Sequence, residues 1–369
     1  MNYMKRLAEK GHRGYLFVMV MLFALGSSAQ VAPKYSNEFL SIGVGARAAG
    51  MSNSVIAGSR DVNAAYWNPS SLVHMDNKIE LSYMHNNYFG GIGNYDFGAL
   101  GVKLKDEAAL ALSFVRLGID GIPNTLDLIN NGQIDYDRIK EFSAVDYAFM
   151  VSYARNTNIE GLTIGANAKV INRVAGDFAK AWGFGLDASA TYVTASGWQI
   201  GVMARDVTST FNAWSYNFTE EEKDVFEQTG NDIPENSLEL TLPKFQLGIG
   251  RQVKFSDKFG FYPELDMDLT TDGKRNTLLR TGFVSVDPRI GMEFDFRRLI
   301  FLRLGAGNFQ QIDDIDDGET WTWQPNFGVG LHLKKFALDY ALTDVGDQSD
   351  VLYSHVFSIR FNLQEKDGE

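Results

Sequence analysis

The sequence has no cysteine, five histidines and eight prolines in 369 residues. Without cysteine there are no disulfides, no thiolate metal ligands and no lipid-modified N-terminal cysteine. The histidines, His12, His74, His85, His332 and His355, are far apart, with no HExxH and no i, i+4 pair, so a metal centre is not expected. No G-x-S-x-G elbow offers a serine nucleophile. Long apolar runs are also missing. The one run of note, Tyr15–Leu25, is too short to span a bilayer as a permanent helix. Positive charge is in deficit, with 34 Lys and Arg against 46 Asp and Glu and a net charge of −12. A chain this acidic is a poor nucleic-acid binder.

Glycine and aromatic residues are plentiful: 36 Gly, 26 Phe, 15 Tyr and 6 Trp. That balance suits many short strands joined by tight turns. A hydrophobic content of 45% is compatible with a membrane barrel, in which only alternate residues face lipid. Lys5, Arg6, Lys10 and Arg13 precede the apolar run, and Ser27-Ser28-Ala29 follows it. Together these predict a signal peptide over 1–29 cleaved before Gln30. Its loss takes away four basic residues and one acidic residue, which moves the net charge from −12 to −15.

The stretch Phe39–Leu72 is rich in Gly, Ala, Ser and Asn, with anchors at its ends: Phe39, Leu40 and Ile42, then Tyr66, Trp67 and Leu72. It holds too few core-filling residues to bury itself and needs a wall around it. Residues 30–76 are therefore expected to form a lead-in and a short helical plug, or hatch, inside a lumen. The plug residues singled out are Gly43, Gly45, Ala46, Arg47, Gly50, Trp67, Asn68 and Pro69. The GVGARAAG run has the wrong spacing for a dinucleotide loop and no βαβ unit around it. Glycines that let a backbone fold tightly in a narrow space explain it better. Asn68-Pro69 is expected to end a helical turn and aim the chain at the first strand.

From residue 77 to 369 the period is two. Tyr147, Phe149, Val151 and Tyr153 alternate with Ala148 and Ser152, and Leu162, Ile164, Ala166, Ala168 and Val170 with Thr163, Asn167 and Lys169. Strands are predicted over 78–88, 93–104, 107–117, 143–155, 161–172, 180–194, 197–206, 242–254, 258–270, 278–297, 299–308, 322–333, 335–344 and 350–363. Short connections (Lys105-Asp106, Ala195-Ser196, Ser256-Asp257, Arg298, Lys334) alternate with long ones (118–142, 207–241, 309–321). Long loops gathered at one end are the mark of an outer-membrane barrel. The fold class expected is all-β: a 14-stranded antiparallel transmembrane β-barrel. Pro288 interrupts 278–297 and leaves the strand parity open there.

Glu264, Asp266 and Asp268 fall on one strand face, so they read as lining of a hydrated interior, paired with Lys169, Arg205 or Arg360, and no catalytic residues are expected. Residues 207–241 carry eight acids against Lys223. The run Asp313–Glu319 is also acidic, which suits exposed loops and leaves a divalent-ion site as an alternative. No cofactor is expected.

GVGARAAGM followed by a small-residue run and Tyr66-Trp67-Asn68-Pro69-Ser70-Ser71-Leu72 resembles the start of the PorV/PorQ family of Bacteroidota outer-membrane proteins, within the wider FadL-type barrels. Ser70 stands where the FadL-type motif carries Ala. The resemblance continues through Gly121-Ile122-Pro123-Asn124-Thr125 and weakens over 207–240. It implies a non-enzymatic 14-stranded barrel with an N-terminal hatch, resident in the outer membrane, working in type IX secretion. Its implied partners are the translocon and secreted cargo carrying C-terminal signals. Ile119, Ile122, Pro123, Phe211, Trp214, Tyr216 and Phe218, taken as apolar tips of the long external loops, are the expected contact residues. The alternative is a FadL-type channel for hydrophobic small molecules such as long-chain fatty acids, for which Gly248/Gly250 and Gly305/Gly307 would mark kinks or close packing.

Overall fold

The structure is a computed structural model that describes residues 36–104, 107–126, 128–130, 133–282, 284–313, 319–343 and 353–364. The expected signal peptide, the start of the lead-in, the Lys105-Asp106 turn and most of the acidic run 313–319 lie outside the described residues.

Among the described residues, twenty strand segments follow one another: β1 Ile79–Tyr88, β2 Gly93–Leu104, β3 Ala108–Asn124, β4 Ile129–Asn130, β5 Gln133–Ile134, β6 Lys140–Asn156, β7 Leu162–Ala175, β8 Ala179–Val193, β9 Trp198–Arg205, β10 Thr210–Tyr216, β11 Ser237–Thr241, β12 Lys244–Arg251, β13 Val253–Lys254, β14 Phe259–Thr270, β15 Leu279–Arg280, β16 Ser285–Phe296, β17 Ile300–Asp313, β18 Glu319–His332, β19 Phe336–Thr343 and β20 Ser354–Gln364. Fourteen of them build the wall. The other six are a small loop hairpin (β4, β5), outward extensions (β10, β11) and short pieces beside β14 and β16 (β13, β15). Every wall pairing is antiparallel, and β1 pairs with both β2 and β20, which closes the ring. Closure leaves no free edge in the wall, as a barrel in lipid requires.

Alternation sorts the side chains. Leu112, Phe149, Val151, Trp182 and Phe357 are exposed on the outside, while Ala111, Ala148, Met150, Ser152 and Ala181 are buried within. The outside is thus the apolar side, the reverse of a water-soluble barrel, and the wall reads as membrane-spanning. Short turns lie at one end, as at 194–197 and 333–335. Long connections lie at the other, which is taken as extracellular.

Three expectations change. The runs 118–142 and 309–321 are largely strand: β3 and β6 have 17 residues each, and β17 and β18 have 14 each. A membrane crossing needs only about 9–11 residues, so their outer ends rise past the bilayer as ribbons. The 207–241 connection holds β10, a helix and β11. The 278–297 strand begins at Ser285 for its long part, and Pro288 sits inside it without a break. There β16 pairs with β14 (Met267↔Pro288), whereas its pairing with β17 starts only at Ile290. The missing N–H falls where no second ladder requires it, and the wall count stays even.

Candidate functional site

The principal hydrophobic cluster lies between the N-terminal segment and the inner wall. Val44, Met51, Ile56, Tyr66, Trp67 and Leu72 pack with Tyr95, Phe97, Val115, Ile171 and Met203. The segment carries α1 (Ala46–Gly50), α2 (Ala64–Trp67) and 3-10 turns at Glu38–Leu40 and Pro69–His74. Gly45 caps α1 at φ 87°, a conformation that disfavours a Cβ. The chain leaves α2 at Asn68 with φ −160° and ψ 90°, the extended geometry imposed on a residue before proline. Wall glycines give the segment room. A Cβ on Gly305 would strike the backbone of Met51 and Ser52, and one on Gly165 the backbone of Pro69 and Ser70. Close packing, rather than kinking, accounts for Gly305 and for Gly248, which faces Ile56 and Ala57.

The sequence-singled residues sit as follows. Arg47, on α1, donates from Nε to Glu293 Oε2 at 3.0 Å and from Nη2 to Oε1 at 3.2 Å. Glu293 also accepts from Arg303 Nε at 2.6 Å, and Arg303 Nη1 reaches Asp339 Oδ1 at 2.7 Å. Ala46 N donates to Ser358 Oγ at 3.1 Å. Trp67 Nε1 donates to Val44 O at 2.8 Å. Asn68 Nδ2 donates to Ile56 O at 2.7 Å and to Thr191 Oγ1 at 2.9 Å. Gly43 lies against Asn53, Gly50 against the backbone of Gly328, and Pro69 opens the turn that faces Gly165.

The luminal carboxylates differ from the expected pairing. Asp266 Oδ2 accepts from the amides of Val55 (2.8 Å) and Ile56 (3.0 Å). Glu264 Oε1 accepts from those of Ala57 (2.6 Å) and Gly58 (3.3 Å). Four successive backbone N–H groups thus converge on two carboxylates, an anion-binding nest built from chain alone. Asp268 pairs with Lys244 (2.6 Å) and Arg289. Lys169 instead pairs with Asp187 (2.7 Å) and Asp206 (2.6 Å), Arg360 with Asp61, and Arg205 with Gln246 (2.6 Å) and the ring of Tyr66. Pairing between neighbouring strands (β7 with β8, and β14 with β12 and β16) and contact with the N-terminal segment, not spacing along one strand, choose these partners.

Two chambers flank the segment. The outer one, about 470 Å³, is lined by residues such as Asn86, Asp268, Arg275, Asp287, Arg289 and Gln310. The inner one, about 440 Å³, is lined by residues such as Arg60, Asp61, Asp76, Glu293, Arg298 and Arg360. Both are polar. His74 lies near a third, smaller chamber with Arg60 and Lys103. Burial, aided by the charges of Arg60 and Lys103, holds its imidazole down at about 4. Arg275, outside the wall, stays firmly charged: burial opposes this, but Asp272 and Glu38 outweigh it.

The expected contact residues do not form loop tips. Ile119 and Ile122 lie within β3, paired to Ala144 and Phe142 of β6, with the exposed Pro123 beyond them. Phe211 faces outward. Alternation turns Trp214 and Tyr216, together with Phe218 beyond them, to the opposite, inner face, where all three are half-buried. They form a row with ring centroids 6.1 Å apart. Phe178 stacks on Phe218, and Trp214 Nε1 donates to Glu239 at 2.6 Å under the Arg173 guanidinium. The helix α3 (Glu220–Gln228) tops this ribbon, started by a capping box of Thr219 and Glu222. Sequence reasoning missed Leu238, exposed on β11, and Asn86, buried on β1.

No family model and none of the curated proteins matches the chain. Solved structures do. The toluene transporter TodX of Pseudomonas putida superposes with a TM-score of 0.57 at 13% identity, over 88% of this chain and 99% of that one. The toluene transporter TbuX of Ralstonia pickettii gives 0.53 at 14% identity, over 87% and 98%. A FadL homologue of Pseudomonas aeruginosa gives 0.51 at 12% identity, over 87% and 98%. At these identities the likeness is one of fold alone: the chain shares the barrel architecture of these solved structures.

Proposed function

We propose that this barrel is a protein-binding component of the outer membrane, PorV-like in working with a type IX translocon and its secreted cargo, and not an enzyme. The observation that carries this reading is the extracellular ribbon. β10 pairs with β8 and β11, while β11 has no strand on its other side among the described residues. An open strand edge outside the bilayer, with Leu238 exposed along it, is a template for an incoming protein strand. The plug, locked by Arg47–Glu293 and by the carboxylates under residues 55–58, fits a barrel that docks partners rather than one that conducts. Replacing Ala213–Glu239 by a short turn, which removes most of the β11 edge together with Leu238, is the test. The deleted barrel keeps its fold but no longer recovers translocon or cargo proteins from secreting cells, and undiminished recovery refutes the reading.

A second reading, uptake of hydrophobic small molecules, is favoured by the fold itself, since proteins sharing it are toluene transporters. The charged lining of both chambers weighs against it. Toluene or long-chain fatty-acid uptake that falls in a deletion strain and returns with the ribbon-deleted barrel would establish it over the first.

A further inference from the structure

The outer chamber has a chemistry neither reading uses. It is polar yet electrically balanced. Glu38 meets Arg275 at 2.9 Å, Asp268 meets Lys244 at 2.6 Å, and Asp287 stands 3.8 Å from Arg289. With each acid facing a base, the chamber does not select for a charged guest. Its remaining lining combines amides and hydroxyls, such as Asn53, Asn86, Asn326 and Ser52, with apolar residues, among them Ile42, Met84 and Val356. At the rim, Gln310 Nε2 donates to Asn308 Oδ1 at 2.5 Å, and Asn308 Nδ2 donates to Gln324 Oε1 at 3.4 Å.

Asn86 is the telling residue. It projects from β1 into this chamber and is 1% exposed. Neither its Nδ2 nor its Oδ1 has a hydrogen-bond partner among the described residues. Asp287 Oδ1 and Arg289 Nε, lining the same chamber from β16, are buried and make no hydrogen bond among the described residues, although Nε stands 3.8 Å from Asp287 Oδ2. A buried donor or acceptor left unmade is costly, so native structures rarely keep several together without something to meet them. One amide offering donor and acceptor side by side, in a chamber also lined by a carboxylate oxygen and a guanidinium N–H without hydrogen bonds, matches hydroxyl groups, each of which both donates and accepts. A hydrocarbon would leave all four groups desolvated and unpaired.

We propose that the outer chamber is a binding site for a small, neutral, polyhydroxylated ligand, a monosaccharide unit, held by Asn86, Asp287 and Arg289 beneath the Asn308–Gln310 rim. Its volume falls within the range of small-molecule sites, roughly 300–1,000 Å³. It opens toward the end that carries the long connections, where surface glycans are met. The inference does not rest on the protein-binding reading, because removal of the ribbon tip leaves the chamber intact.

The test uses the full barrel in a sugar-free amine-oxide detergent. Calorimetric titrations take four neutral probes, L-fucose, D-mannose, D-galactose and N-acetyl-D-glucosamine, with D-glucuronate and toluene as charged and apolar arms. At least one neutral sugar binds saturably, and Asn86→Leu and Gln310→Ala each weaken it at least tenfold. Glucuronate and toluene do not displace it. Should Asn86→Leu fail to fold, judged by heat-modifiable gel mobility, Gln310→Ala at the rim decides. Absence of binding by all four sugars overturns the proposal. So does binding unchanged in the folded variants, or displacement by toluene or glucuronate.

Discussion

Asp266→Ala is the perturbation most directly tied to how the N-terminal segment is held. The carboxylate accepts from the amides of Val55 and Ile56, both residues 1% exposed. Without it two buried N–H groups lose their acceptor, at about 1–3 kcal/mol each. Part of that is returned, because a desolvated carboxylate whose Oδ1 is unpartnered also disappears. A net loss of about 2 kcal/mol follows, or about 30-fold in the opening equilibrium at 1.36 kcal/mol per decade. The readout is amide hydrogen exchange in detergent, resolved on a peptide covering residues 51–60. Local opening exposes these amides without unfolding the wall, so their exchange accelerates about 30-fold while β6 and β7 stay protected. Glu264→Gln, which keeps an acceptor in place for Ala57 and Gly58, gives a smaller change. Exchange at Val55 and Ile56 that stays within threefold of the native rate refutes the argument that these carboxylates grip the segment.

Two further consequences follow from the same interior. His74 has an ordinary value of about 6.5 when unfolded and about 4 in place. The unfolded chain therefore binds more protons between these limits, so the stabilising contribution is complete above pH 6.5 and drains away as pH falls toward 4. It amounts to at most about 3 kcal/mol, and His74→Gln flattens that acid limb of the melting curve; an unchanged limb excludes His74 as its source. Gly305→Val drives methyls into Met51 and Ser52; trypsin then cuts faster at Arg47 and Arg60 while the barrel keeps its heat-modifiable mobility, and unchanged resistance shows that close approach at Gly305 is not needed to seat the segment.

Alternation along each strand made the lipid face legible in advance, because a period of two admits only two assignments and apolar residues must take the outer one. Phe149, Val151 and Tyr153 outside, with Ala148 and Ser152 inside, follow from that rule alone. The asymmetry of connection lengths gave the orientation. Residues 39–72 signalled an internal segment because their Gly- and Ala-rich composition could not fill a core unaided. Strand ends were less legible: β3, β6, β17 and β18 continue past the bilayer, and nothing in a local pattern marks where lipid stops.

The interior was where sequence fell short. Glu264, Asp266 and Asp268 share one face and one spacing, yet two of them hold backbone amides and the third holds Lys244 and Arg289. Trp214 and Phe211 looked alike as aromatics, and a single residue of strand phase sends one inward to Glu239 and the other outward. Asn86 carries no local signal, since its meaning lies in which groups fail to reach it. The sequence by itself determined which side of each strand meets lipid, because that depends only on neighbours along the chain. Only the tertiary structure decided which charges pair and which polar groups are left to meet a guest, because strand pairing and the seating of the N-terminal segment bring together residues from 18 (Lys169 and Asp187) to 299 (Asp61 and Arg360) positions apart.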